Sequence, residues 1–424
     1  MRIDLAYGSD GLPLDLDPAA FAPTVILPRD PPAHADPRAA VLAALRRPLG
    51  PVAPLAQLVA GRRPRRVAIS IADHTRPVPD HLLVPWLVEE AGFTDAMVTI
   101  IIGAGTHRAS TPAELERLLG PAAHRFRVVN HDCQDHDSLV LMGRSSCGGE
   151  CWLNRHWVEA DLRLATGFIE PHFFAGFSGG AKAVVPGIAG LATIQHFHRA
   201  SLIAHPRTTW GDPHGNPLQA LTREMTALCP PDFIVNVTLN LRKAITAVFA
   251  GELRAAHDAG CAEALREAMQ PVARRFPVVV TTNSGHPLDQ NFYQTVKGIS
   301  AAARIVEPGG TIVVASRCAA GLPPEGEFRL LLADPRSSPD LLNAFLVSPH
   351  TRHDQWQVQT LLQCLAQARI ILHSQLSAAD RAVTRTGHTD DVLATLHELR
   401  RQQGATRLEL AVLPMGPLTI PSLA

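Results

Sequence analysis

Arg66-Val-Ala-Ile-Ser-Ile-Ala-Asp-His-Thr-Arg-Pro77 decides the fold class of this chain. A short β-branched run of strand length gives way, at Asp73, to carboxylate, imidazole and guanidinium groups in succession. Similar runs recur at residues 97–102, 126–129 and 162–165, alternating with helical stretches, which is the signature of a parallel sheet with crossover helices. In such sheets ligands bind outside the carboxyl ends of the strands, so the residues following each run are the first place to look for chemistry.

Working outward, residues 10–64 are rich in Pro, Ala and Arg and are expected to wrap or connect rather than to build a sheet. Downstream, an amphipathic stretch over residues 252–269 meets Pro271 and a fresh strand at 278–282, which puts a domain boundary near residue 270. Further strands are expected at 311–315, 370–373 and 408–413, with helices at 295–303, 357–366 and 390–401. The expected architecture is therefore α/β with two domains, 1–270 and 271–424, each a largely parallel sheet flanked by helices. The first would carry the catalytic groups and the second would close over the substrate, with the active site in the cleft.

Composition narrows the function. With 424 residues, 46% apolar and 18% charged, the chain is long enough for two cores of ordinary size. Lys plus Arg equals Asp plus Glu at 39 each, so no field for nucleic acid or anionic membrane is expected. The start lacks a signal-peptide apolar region and no apolar stretch approaches a membrane span, which points to the cytoplasm. Seven scattered cysteines argue for reduced thiols; Cys147 and Cys151 are either a metal clip or two buried thiols on a glycine turn.

The reactive residues gather after the strands. Asp73 and Arg76 follow the first, Gly103-Ala-Gly-Thr-His-Arg108 the second, and Gly167-Phe-Ile-Glu-Pro-His172 the fourth. Singly, each is as well explained as a cap or a solvated loop residue; together they mark one rim. The next segment, Gly176-Phe-Ser-Gly-Gly-Ala-Lys182, offers successive backbone N–H groups suited to an anion, but Lys182 lies between alanines and makes no Walker A loop. A lysine in so apolar a surround is a candidate nucleophile. Gln195-His-Phe-His-Arg199 supplies two imidazoles two residues apart, which on a helix point to different faces, so either His196 or His198 alone is a candidate metal ligand. In the second domain Tyr293, Gln294 and Lys297 follow a strand end, and Lys297 is a candidate carboxylate binder.

Taken together, Asp73-His-Thr-Arg-Pro77, Gly105-Thr-His-Arg108, Asn130-His-Asp-Cys133, Glu170 through Lys182 with Pro186-Gly187, His198, and Tyr293-Gln-Thr-Val-Lys-Gly298 resemble the nickel-pincer lactate racemase family over residues 66–360. The resemblance implies a racemase or epimerase of 2-hydroxy acids. It implies a pyridinium-3,5-bisthiocarboxylic acid mononucleotide carrying nickel, attached to Lys182 on the Ser178-Gly179-Gly180 turn, with His198 as the protein's nickel ligand. It makes His107 and His172 the acid–base pair and gives Asp73, Arg76, Tyr293, Gln294, Lys297 and Trp356 to substrate and cofactor. Within that assignment Arg76, Gln294 and Lys297 hold the substrate, and Asp73, Tyr293 and Trp356 support the cofactor. Ala181 departs from the arginine common at that position in the family, which leaves the phosphate contacts open.

The implied mechanism answers a chemical difficulty. The C–H beside a carboxylate and a hydroxyl is a very weak acid for an imidazole of pKa about 6.5 to remove. Loss of hydride instead, to the nickel-bearing nucleotide, yields a planar 2-keto acid that can take hydride back on its other face. Partners expected on this reading are a small 2-hydroxy acid and cofactor-maturation enzymes. An NAD-dependent hydroxy-acid dehydrogenase would need a well-placed Gly-x-Gly-x-x-Gly turn, which is not found. A nickel or cofactor carrier without turnover would not need both His107 and His172.

Overall fold

The computed structural model describes residues 1–423. The chain forms two compact units, one of 30–198 with 205–266, the other of 1–29, 199–204 and 267–424.

The first unit is built on a six-stranded sheet in the order Ile245–Gly251, Phe233–Leu239, Leu162–Phe168, Val67–Ala72, Val98–Gly103, Arg127–Asn130. All neighbours run parallel except Ile245–Gly251, which is antiparallel to Phe233–Leu239. Val67–Ala72 is buried along nearly its whole length, as a strand covered on both faces must be. From it the chain steps outward through Val98–Gly103 to Arg127–Asn130, then returns to the opposite side at Leu162–Phe168. That reversal makes a crevice at the carboxyl ends of Val67–Ala72 and Leu162–Phe168. Leu83, Val84, Leu87 and Val88 of the helix Asp80–Ala91 pack in the same core as Ile69, Ile100 and Leu164.

The second unit holds six parallel strands in the order Gly387–Thr389, Arg369–His373, Val306–Ala315, Phe276–Thr282, Leu408–Leu413, Phe21–Val25. Its helices Phe292–Ala303 and Gln355–Gln367 contribute Val296, Ile299, Val358 and Leu361 to one core with Val279, Ile312 and Val314.

Residues 10–64, expected only to wrap or connect, include the strand Phe21–Val25 and two helices, Pro37–Arg46 and Leu55–Arg62. The first 29 residues pack with the C-terminal part of the chain, where Phe21–Val25 covers the outer edge of Leu408–Leu413 that would otherwise stand open. Pro23 inside that strand is tolerated because the strand is itself at the sheet's edge. Among the described residues no helix is long and apolar enough to cross a membrane.

Candidate active site

Asp73 leaves the sheet one residue after Val67–Ala72 and is 3% exposed. Its Oδ2 accepts from His107 Nδ1 at 2.8 Å, and its Oδ1 accepts from Thr75 Oγ1 at 2.7 Å. Thr75 Oγ1 in turn accepts from the Arg76 guanidinium at 2.8 Å. Burial pushes the Asp73 carboxyl up, but the His107 ring, by charge and hydrogen bond, with Arg76 and Thr75, holds it well below the usual carboxylate range. Asp73 is thus an ionised group at neutral pH. Because His107 Nδ1 is bound to it, the neutral His107 ring keeps its proton there and its basic nitrogen is Nε2.

The His107 loop is held from both ends. Gly105, at φ +57°, donates its N–H to Gly187 O at 3.0 Å, a left-handed turn that a side chain would strain. On the far side Arg108 makes two 2.7 Å bonds to Glu114, whose carboxylate also caps Thr111 at the start of the helix Pro112–Leu119.

His172 stands on a two-residue hairpin, Pro171–His172 paired with Gly176–Phe177. Its Nδ1 accepts the backbone N–H of Ala175 at 3.2 Å, so the neutral ring carries its proton on Nε2. The two sequence-assigned histidines are therefore held in opposite tautomers.

Phe174 links the remaining groups. Its ring lies edge-on to His172 at 4.6 Å and to His198 at 5.2 Å, and the Lys182 ammonium stands 5.9 Å from its centre. His198 is buried at the end of the helix Leu191–Phe197, where Nδ1 donates to Ile194 O at 2.8 Å. Burial first, then the positive charge of Lys182, pushes its pKa down to about 3, so the ring is neutral, with its proton on Nδ1 and its lone pair on Nε2. His196 points elsewhere, its Nε2 at 3.3 Å from Cys147 Sγ.

The turn that presents Lys182 is tightly built. Ser178 Oγ bridges Phe168 O and the Glu170 N–H, both at 2.9 Å. Gly180 donates its N–H to Asn236 Oδ1 at 2.8 Å, and the buried His257 Nε2 donates to Ser178 O at 2.9 Å. A Cβ at Gly180 would stand 2.5 Å from the His257 ring. Asn236, His257 and Phe174 were not singled out from sequence; each acts through a tertiary contact that no local spacing announces.

In the other unit Tyr293, Gln294 and Lys297 lie on the first turns of Phe292–Ala303, where Asn291 caps the Gln294 N–H. Lys297 Nζ donates to Gln294 Oε1 at 2.7 Å, and the Trp356 indole donates to the Tyr293 hydroxyl at 3.0 Å. Cys147 and Cys151 are neither a clip nor two buried thiols: Cys147 is exposed beside His196, while buried Cys151 faces Met225 O at 3.6 Å. Among the described residues no three His, Cys, Asp or Glu side chains converge to hold a metal ion.

The arrangement defines an open α/β enzyme with an imidazole–carboxylate pair and a glycine-turn lysine at the switch point of its sheet. Family models described as the lactate racemase N-terminal domain and the lactate racemase C-terminal domain match residues 7–211 and 273–416. A lactate racemase of Lactiplantibacillus plantarum is 36% identical over 331 residues, 77% of each chain, and one of Thermoanaerobacterium thermosaccharolyticum is 36% identical over 334 residues, 78% of this chain and 77% of that one. The solved structure of the lactate racemase apoprotein from Thermoanaerobacterium thermosaccharolyticum superposes with a TM-score of 0.92 at 30% identity, covering all of both chains. A protein from Thermotoga maritima shares the fold at a TM-score of 0.67 and 17% identity, over 87% of this chain and 96% of that one. This chain belongs to the lactate racemase family, and it is an isomerase of the racemase type.

Proposed function

We propose that the protein racemises or epimerises a 2-hydroxy acid in the cytoplasm, with lactate, for which its relatives are named, as the first substrate to test. The single observation that carries the reading is the 2.8 Å bond between His107 and ionised Asp73 at the rim of the sheet. Asp73 fixes the tautomer that leaves Nε2 to take a hydroxyl proton, and its negative charge stabilises the imidazolium that results. A carrier without turnover has no use for such a pair.

The chain's donor set fits the nickel-pincer nucleotide that the sequence resemblance implies. Lys182 is a primary amine on a glycine turn, His198 offers one neutral imidazole, and the buried Asn236 Nδ2 has no hydrogen-bond partner among the described residues, leaving room for a bound acceptor. Lone imidazole ligation suits a metal whose other donors come with the cofactor. When bound, that group would supply a carbon able to take the C2 hydride and return it to either face of a 2-keto acid. Maturation enzymes would have to provide it.

The chain's own residues do the rest. Arg76 holds the substrate carboxylate, and Gln294, Lys297, Tyr293 and Trp356 carry the substrate and cofactor roles that the sequence resemblance implies. His107 Nε2 takes the hydroxyl proton of one enantiomer. The His172 Nε2–H meets the substrate oxygen as a donor; for His172 to act as the base toward the mirror-related substrate, its ring must give up the Ala175 N–H. Phe173 and Phe174, packed against His172, with Trp210 behind Phe173, keep water from the reacting carbon.

Racemisation of C2-deuterated lactate by protein made with its maturation enzymes tests the reading. The label is expected to stay largely on C2 in the inverted product, with a primary isotope effect. Stoichiometric solvent hydrogen at C2 in early product would overturn hydride transfer in favour of two-base proton exchange.

A further inference from the structure

The first sheet has a second, opposite rim. Where the strands Val67–Ala72, Val98–Gly103 and Arg127–Asn130 begin, a cavity of about 590 Å³ opens, lined by Arg65, Arg66, Arg125 and Arg127 against only two carboxylates, Asp95 and Glu159. Arg125 is committed to Asp95 by two bonds of 3.2 and 2.8 Å, Arg66 lies 3.7 Å from Glu159, which Arg155 shares at the same distance, and Asp161 at the edge accepts the Arg65 and Arg66 backbone N–H at 2.9 Å and lies 3.9 Å from the Arg66 guanidinium. Among the described residues neither Arg65 nor Arg127 has a carboxylate within ion-pair distance. The Arg127 guanidinium instead donates to His156 Nε2 at 3.3 Å, an unusual partner for a cation. Burial and then the Arg127 charge push the His156 pKa down, which keeps that ring a neutral acceptor.

With Arg155 and Asp161 counted, five guanidiniums against three carboxylates leave two positive charges around this concave surface, the complement of a dianion. Planar guanidinium forks match phosphate oxygens better than they match a point charge, and a phosphate monoester carries close to two negative charges at pH 7. The cavity is also more than a phosphate-sized notch. Its floor includes Val67, Val98 and Ala160, all buried and apolar, and its volume falls in the range that encloses a small organic molecule.

We propose that this cavity is a binding site for a small phosphate monoester, its phosphate held by Arg65 and Arg127 and its organic part laid on the apolar floor. The site is separate from the catalytic rim: Val67–Ala72 runs from one to the other, about 20 Å at roughly 3.3 Å per residue.

Calorimetric titration of the purified protein with adenosine 5′-monophosphate and with inorganic phosphate, at low ionic strength, tests this. Saturable binding of the monoester in the sub-millimolar to millimolar range (about 4 kcal/mol or more) is expected, tighter than inorganic phosphate. Arg65→Ala with Arg127→Ala should weaken it by at least about tenfold with an unchanged melting temperature, and Arg127→Lys, which keeps the charge but loses the fork, should fall between. No saturable heat up to about 10 mM, an unaltered affinity in the double variant, or equal affinity for the two probes would each overturn the assignment. None of these outcomes bears on the reaction at Asp73 and His107, so the two readings fail separately.

Discussion

Thr166 Oγ1 donates a 2.6 Å hydrogen bond to Asp80 Oδ1, while Asp80 Oδ2, fully buried, has no hydrogen-bond partner among the described residues. Burial raises the Asp80 pKa to about 7, against only the opposing pull of Thr166. A carboxyl raised above its ordinary 3.8 keeps its proton in the folded state where the unfolded chain has lost it, so folding is penalised increasingly as pH rises from about 4 to 7 and by a constant amount above. Asp80→Asn keeps the acceptor for Thr166 and removes the penalty. Its stability relative to the wild type should be near zero at pH 4 and rise by about 1 to 4 kcal/mol by pH 8, measured by urea unfolding across that range. A difference that does not grow with pH would show that Asp80 is not held protonated.

Asp73→Asn retains the shape of the group beside His107 but replaces the charge and permits the wrong tautomer. Turnover is expected to fall by about 10²- to 10⁴-fold with little change in KM, read by chiral chromatography of the product. Because the Asp73 pKa is depressed, its ionised form stabilises the fold above the ordinary carboxylate range, and that contribution is lost as pH falls. The variant should therefore be less stable than the wild type at pH 7 and converge with it in acid.

Gly180 combines φ +54° with a Cβ position 2.5 Å from the His257 ring. Gly180→Ala should displace the turn before Lys182 and cost about 1 to 3 kcal/mol in denaturant unfolding. Peptide mass spectrometry of the matured variant should show the Lys182 adduct reduced. A fully stable, fully modified variant would mean the turn has slack that the His257 contact denies.

His198→Ala should lower nickel content and activity together, whereas His196→Ala, whose ring faces Cys147, should change both much less. Metal analysis of the two purified variants decides the order; the reverse order would reassign the ligand.

The parallel strands could be read from sequence because burial on both faces demands apolar runs, and Leu408–Leu413 falls on the residues expected. Phe233–Leu239 escaped notice since Asn236 and Thr238 interrupt it; both are buried, Asn236 accepting Gly180 N–H across 56 residues and Thr238 bonding Thr246 across the hairpin to Ile245–Gly251. Phe21–Val25 was hidden by Pro23, which reads as a breaker until its edge position is known. At the site, residue types after strand ends were legible, but the bond between Asp73 and His107 spans 34 residues and the one between His257 and Ser178 spans 79. Such pairings depend on which strands become neighbours, and His257, on a long helix among alanines, carries no local mark of its place under the glycine turn.

Among the described residues the edge strand Phe21–Val25 pairs only with Leu408–Leu413, and Arg407 reaches back to Phe21 O across 386 positions. On the ribosome, where chains lengthen by some 5 to 20 residues each second, this strand must wait roughly 20 to 80 seconds after emerging before its neighbour exists. The intervening unit of 30–198 and 205–266 can meanwhile assemble from residues already made. A nascent chain thus carries this strand unpaired until residues 408–413 have been made, a natural point for chaperones to engage.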